Sequence, residues 1–255
     1  MAHISLDFFS AQVSKTVHAE IILPMEQPNY HAEPPFRTVY WLPGFSNNAR
    51  DIIGMCHLRE DPQNMNYALV VVDADNSFFV DRPMANYSRL IGEELVAVTR
   101  ELFPLSDRRE DTILAGNSMG GYGTLYNGLK YSNTFGKLVL LCPGLDFYNI
   151  TNAETGERMF TRAFLDEIFG SEERFSSTSL NPIKALEDAC AAGVALPEIF
   201  YGIGRQDNAV GEPNVQLRAA FERFHIPVRQ IFVEGGHDTI FLENILPYMN
   251  EYLAR

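Results

Sequence analysis

Apolar and polar residues alternate early in the chain. Thr16 to Leu23 reads as a strand stopped by Pro24, and Thr38 to Leu42 as a second stopped by Pro43-Gly44. A Pro-rich turn, Gln27 to Phe36, separates them. Beyond this point short apolar runs take turns with helical periodicity. Strands are expected at Ala68 to Val72, Thr112 to Ala115, Lys137 to Cys142, Glu198 to Ile203 and Arg229 to Val233. Helices are expected at Asn86 to Phe103, Gly120 to Tyr131, Val215 to His225 and Asp238 to Leu253. Strands and helices of these lengths in alternation imply a mostly parallel sheet covered on both faces, with antiparallel strands at its start.

The stretch from Asp146 to Ala192 breaks the rhythm. It holds two weakly helical segments rich in aromatics: Phe147, Tyr148, Phe160, Phe164 and Phe169. Two readings are open, a packed insertion or a lid that shapes a pocket. There is no internal repeat and no low-complexity tract, and residues 1–255 are expected to fold as one α/β domain.

Composition narrows the chemistry. The 255 residues are 46% hydrophobic and 21% charged, with a formal net charge of -13, which argues against a nucleic-acid partner. The basic spots Arg108-Arg109 and Arg218 with Arg223 are interrupted by acids and read as solvated faces. Cys56, Cys142 and Cys190 are odd in number and lack metal-like spacing, so a reducing compartment, the cytoplasm, is expected. Met1 to Ser10 lacks the pattern of a signal peptide, and no 18 apolar residues run uninterrupted, so no membrane partner is expected. The oligomeric state is open, a homo-oligomer included.

Gly116-Asn117-Ser118-Met119-Gly120 matches G-x-S-x-G, with the apolar run Ile113-Leu114-Ala115 before it and a helical stretch after it. A serine held on a strained strand-to-helix turn presents its hydroxyl as a nucleophile, and small residues at 116 and 120 let strand and helix approach. Gly121 and Gly123 suit close helix–sheet packing. The alternative, a phosphate cradle, lacks G-x-G-x-x-G and the Walker lysine. A serine hydroxyl needs a base. Of six histidines, His237 in Gly235-Gly236-His237-Asp238 alone lies directly between the last expected strand and the last helix, whereas His3, His18, His31, His57 and His225 have no such strand end. Asp207 follows the strand begun at Glu198 and fits the order Ser, acid, His, although a turn or helix-capping role is open to it. Asp146 and Asp238 are its rivals. Oxyanion donors are expected at the N–H of Met119, the residue after the serine, and of Phe45 in Leu42-Pro43-Gly44-Phe45, where a plain Pro-Gly turn is the alternative. No histidine or cysteine grouping suggests a metal, and no cofactor is expected. Asp73 with Asp75, and Glu93 with Glu94, read as strand-end and helix-surface charge.

At these residues the chain resembles the esterase D group of α/β-hydrolases, which includes tributyrin esterases, S-formylglutathione hydrolases and feruloyl or acetyl carbohydrate esterases. The resemblance spans essentially the whole length. It is carried by the opening His3 to Ser10, by Ser118-Met119-Gly120-Gly121-Tyr122-Gly123 and by Gly202 to Asp207. It implies the α/β-hydrolase fold, a triad of Ser118, Asp207 and His237, an oxyanion hole from Phe45 and Met119, and a small-molecule ester as substrate, with a glutathione thioester or a non-catalytic binding role as alternatives. One departure stands out: the group usually carries His-Gly or Ser-Gly where this chain has Pro43-Gly44, and proline has no N–H to donate. The compact aromatic insertion leads to an expectation of short acyl chains.

Overall fold

In the computed structural model, which describes residues 2–25, 33–55, 67–151 and 155–254, eight strands form one sheet. They are β1 (Ala2–Ser10), β2 (Lys15–Leu23), β3 (Arg37–Leu42), β4 (Tyr67–Val72), β5 (Thr112–Asn117), β6 (Lys137–Leu141), β7 (Glu198–Gly204) and β8 (Val228–Val233). Their spatial order is β1-β2-β4-β3-β5-β6-β7-β8. The β1–β2 and β2–β4 pairs are antiparallel, and every pair from β4 to β8 is parallel. Each residue of β4, β5 and β6 is buried, as continuous apolar strands must be when helices cover both faces.

The helices are α1 (Ala49–Gly54), α2 (residues 87–102), α3 (Met119–Lys130), α4 (Arg162–Phe169), α5 (Glu172–Ser177), α6 (Pro182–Ala191), α7 (Gly211–Arg223) and α8 (Thr239–Leu253). Five of them, α1, α4, α5, α6 and α8, start after a residue whose side chain satisfies a free N–H group. Asn48 and Asp51 make a reciprocal capping box on α1, and Asn181 caps α6 ahead of Pro182.

Three features differ from the sequence reading. The run Ala2–Ser10 is itself an edge strand, its Ile4, Leu6 and Phe8 half-buried while the residues between face solvent. Helix α2 contains a π-helical turn at Leu90–Glu94, and Glu94, rather than lying as free surface charge, accepts hydrogen bonds from Ser10 Oγ and the Ala11 N–H at 2.8 Å. The insertion carries three helices, α4 to α6, not two. The Pro-rich turn falls largely outside the described residues, as do His31, Cys56 and His57.

Because β3 to β8 run parallel, their C-terminal ends lie on one edge of the sheet. Ser118 follows β5, Asp207 follows β7 and His237 follows β8, so the topology brings residues far apart in sequence to the same edge.

Candidate active site

Ser118 joins β5 to α3 with φ 56° and ψ -116°, a conformation that costs a non-glycine residue about 1–3 kcal/mol. Its surroundings hold it there. The Ser118 N–H donates to Leu141 O at 3.0 Å, and its carbonyl accepts from Tyr122 N–H at 3.1 Å and Gly144 N–H at 3.0 Å. A Cβ at Gly116 would stand 2.4 Å from Gly120 O, and one at Gly120 only 1.8 Å from Leu42 O, so both must be glycine for β3, β5 and α3 to meet. Gly121 packs closely on Pro143 after β6, as expected. Gly123 instead faces the Phe79 ring. Asn117, the variable residue before the serine, accepts from Trp41 Nε1 at 3.1 Å and so ties the elbow to β3.

The two loops carrying Asp207 and His237 are laced together. Gln206 N–H donates to Gly235 O at 3.0 Å, Gln206 Oε1 accepts from Gly235 N–H at 2.8 Å, and Arg205 N–H donates to Val233 O at 2.8 Å. Gly235, at φ 127°, supplies a left-handed turn that a side chain would block against Phe241. The side chain of Asp207 is fully buried. Its Oδ1 accepts from the N–H groups of Ala209 and Val210, each at 3.1 Å, and its Oδ2 lies 2.9 Å from His237 Nδ1. On the other side of the ring, His237 Nε2 lies 2.7 Å from Ser118 Oγ. A carboxylate can only accept, so in the neutral ring Nδ1 carries the hydrogen and Nε2 turns its lone pair toward the serine hydroxyl.

The rival acids sit elsewhere. Asp238 is the N-cap of α8, accepting from Phe241 N–H at 3.0 Å, and Asp146 accepts from Asn149 Nδ2 at 2.9 Å.

A cavity of about 480 Å³ opens over Ser118 and His237. Phe45 and Met119 both line it, and neither N–H has a hydrogen-bond partner among the described residues. Pro43 leaves the Phe45 position intact, and the loop is pinned by Ser46 N–H donating to Asn76 Oδ1 at 2.8 Å, a link with no sequence signal. Phe147, Ile150, Met159 and Phe160 of the insertion also line it. They belong to a tight aromatic cluster: Phe78 meets Phe147 edge-on at 4.5 Å, and Phe45 meets Phe160 at 4.9 Å. The insertion is thus packed and cavity-lining at once. Beside the cavity lies a polar cleft of about 350 Å³, lined by Asp146, Asn149, Thr151, Asn208, Glu212 and Gln216 and sharing Ile150 and Ala209 with it.

One neighbour escaped the sequence reading. Cys142 is buried and also lines the cavity, with its sulfur beside the His237–Asp207 pair. Burial opposes a charge on His237, but the Cys142 sulfur and the Asp207 carboxylate outweigh it and push the histidine pKa up to about 10. That setting favours the imidazolium form of the ring.

A mostly parallel eight-stranded sheet with a strained serine after β5 and a histidine facing it from beyond the last strand is the arrangement of an α/β-hydrolase. The sequence model of the putative esterase family matches residues 10–214, and the chain belongs to that family. By that family it is an ester hydrolase. An acetyl esterase of Caldicellulosiruptor saccharolyticus is 28% identical over the whole chain and 99% of that relative. Two solved structures from Staphylococcus aureus share the fold at 23% identity. The fluorophosphonate-binding serine hydrolase F superposes with a TM-score of 0.86, covering 100% of this chain and 98% of that one. An S-formylglutathione hydrolase gives 0.85, covering 100% and 99%.

Proposed function

We propose that this enzyme hydrolyses carboxylic esters of short acyl groups through an acyl-enzyme on Ser118. The observation that carries the reading is the continuous array Ser118 Oγ, His237 and Asp207, with 2.7 and 2.9 Å contacts, beneath an apolar cavity. His237 Nε2 takes the serine proton as Oγ attacks the ester carbonyl. The N–H groups of Phe45 and Met119 receive the oxyanion, while Asp207 holds the ring and stabilises its charge. His237 then gives the proton to the departing alcohol, and water repeats the sequence in reverse to free the acid.

Short acyl groups suit a wall of interlocked rings, because each methylene too many in a closed pocket costs about 1–3 kcal/mol. The acetyl esterase relative supports the same class. On this reading residues 146–192 act as a fixed wall within one domain of residues 1–255. The free thiols of Cys142 and Cys190 suit a reducing compartment such as the cytoplasm.

The alternative, a glutathione thioesterase, uses the same intermediate. The neighbouring polar cleft argues against it: its lining includes Asp146 and Glu212 and no described basic residue, so it repels a leaving group bearing two carboxylates. A panel of nitrophenyl esters from acetate to laurate beside the glutathione thioester tests both points. The fastest turnover is expected between two and six acyl carbons, with the thioester slower than butyrate. A laurate ester cleaved faster than butyrate overturns the acyl assignment, and a preferred thioester overturns the alcohol side.

A further inference from the structure

We propose that Cys142, Asp207 and His237 form a binding site for a thiophilic divalent cation, Zn²⁺ or its analogue Cd²⁺, whose occupation switches hydrolysis off reversibly. The Cys142 sulfur, an Asp207 carboxylate oxygen and a His237 ring nitrogen all lie within 4.8 Å of one another. Sulfur, imidazole nitrogen and carboxylate oxygen are the donor types zinc takes. Bond lengths of ~2.0–2.3 Å put tetrahedral donors roughly 3.5 Å apart, so the trio closes by about 1 Å at its widest. Cys142 and His237 both line the cavity, which gives a cation a path from solvent. The backbone holds the thiol in place: Cys142 sits at φ 37° with its N–H on Gly202 O at 2.7 Å. Asp207 keeps Ala209 and Val210 on Oδ1, leaving Oδ2 to exchange its histidine hydrogen bond for the metal.

The consequence for chemistry follows from which ring nitrogen is taken. Asp207 faces Nδ1, so a cation shared with Asp207 bonds His237 through Nδ1. The thiol proton leaves to solvent as the sulfur–metal bond forms, and the ring hydrogen moves from Nδ1 to Nε2. One proton is released per cation bound where the ring starts neutral, and two where it starts as an imidazolium. Nε2–H then faces Ser118 Oγ with no lone pair to offer, and the nucleophile loses its base. No oxidation is involved, so a chelator reverses the change.

The inhibitory half rests on the proposed role of His237, and the binding half does not. Cadmium titration of the Ser118→Ala protein isolates the latter, read by the ultraviolet charge-transfer band of a cadmium–thiolate bond. One cation per chain is expected, with two protons released at neutral pH and one above the His237 pKa. Wild-type turnover is expected to vanish over the same cadmium or zinc range and to return with EDTA. Cys142→Ser is expected to remove the band and raise the half-inhibiting concentration at least ~10-fold relative to its own metal-free rate, the usual scale for a lost contact at a metal site. Cys190→Ser is expected to change neither. If Cys142→Ser fails to fold, His237→Ala in the titration gives the same reading, with the thiol retained and cation affinity down at least ~10-fold. Absence of the band, or zinc inhibition unchanged in Cys142→Ser, overturns the site. A band without inhibition overturns the switch. Hydrolysis persisting in Ser118→Ala overturns the reading of the nucleophile while leaving the titration valid.

Discussion

Among the described residues two buried carboxylates, Asp207 and Glu20, are each bound to histidine, and their settings are opposite. Asp207 serves one histidine, whose far nitrogen faces a serine hydroxyl in an open cavity. Glu20, on β2, is consumed by its neighbours. Ser5 Oγ donates to both its oxygens, His3 Nε2 lies at 2.7 Å, His18 Nε2 at 3.0 Å and Arg50 Nε at 2.9 Å. The far nitrogen of His18 meets another carboxylate, Asp7, at 2.7 Å. With acids on both sides the ring has only donors to offer, so protonation of His18 is favoured and no lone pair is left for a substrate. What separates the two carboxylate–histidine pairs is the strained serine and the cavity that lie beyond only one of them.

The largest expected effect separates the two clusters directly. If Asp207 fixes the His237 tautomer, Asp207→Asn lowers turnover of a butyrate ester by about 10⁴ with the fold intact, as when an imidazole is held in the wrong tautomer. His18→Asn, which breaks the other clamp, is expected to leave turnover within about 2-fold, since surface changes away from the site act within ~0.5 kcal/mol. The measurement is steady-state turnover of both purified, folded variants. Near-normal activity of Asp207→Asn, or collapse of His18→Asn, would erase the distinction.

The contrast was only half readable from sequence. Ser118, His237 and Asp207 stand out because each chemical residue falls just past an apolar strand, and parallel strands place such ends together. The Glu20 cluster has no comparable mark. It depends on the β1–β2 register, which sets Ser5 opposite Glu20 and Asp7 opposite His18, and β1 itself declares only a weak alternation of Ile4, Leu6 and Phe8. Cys142 was opaque for a related reason. A cysteine ending an apolar run looks like core, and its nearness to residues 207 and 237 follows from the adjacency of β6, β7 and β8. The helices of the insertion were weakly marked because two of them are short, eight residues at Arg162–Phe169 and six at Glu172–Ser177, too few for a period to declare itself.

The next effect concerns pH. If His237 is the base proposed for Ser118, it must be neutral to accept the serine proton, and kcat/KM then rises as pH climbs through its pKa in the free enzyme. Burial lowers that pKa, while the Cys142 sulfur and Asp207 carboxylate raise it further, up to about 10. The rising limb is therefore expected above the ordinary histidine value of 6.5. A pH–rate profile of kcat/KM checks this, and a limb at or below 6.5 would mean that burial dominates.

The smallest effect lies in stability and belongs to the other cluster. Burial works against ionised Glu20, yet hydrogen bonds from Arg50, His18, Ser5 and His3 overcome it and bring its pKa down to about 2. A carboxylate lowered in the folded state contributes stability above its unfolded pKa near 4.5, and that contribution is lost as pH falls toward 2. Removing one partner of a fully buried ion pair costs about 3–5 kcal/mol, but here Arg50 is 74% exposed and water screens it. Glu20→Gln is therefore expected to lose roughly 1–2 kcal/mol at pH 7, a fall in Tm of about 2–8 °C for a chain of this size. Ester turnover is expected to stay unchanged. Because the wild-type carboxylate itself becomes protonated at low pH, the gap between the two proteins must narrow below pH 4.5. Thermal melts of both proteins from pH 3 to pH 8 read this out; a gap that stayed constant with pH would show that Glu20 acts through packing and not through its charge.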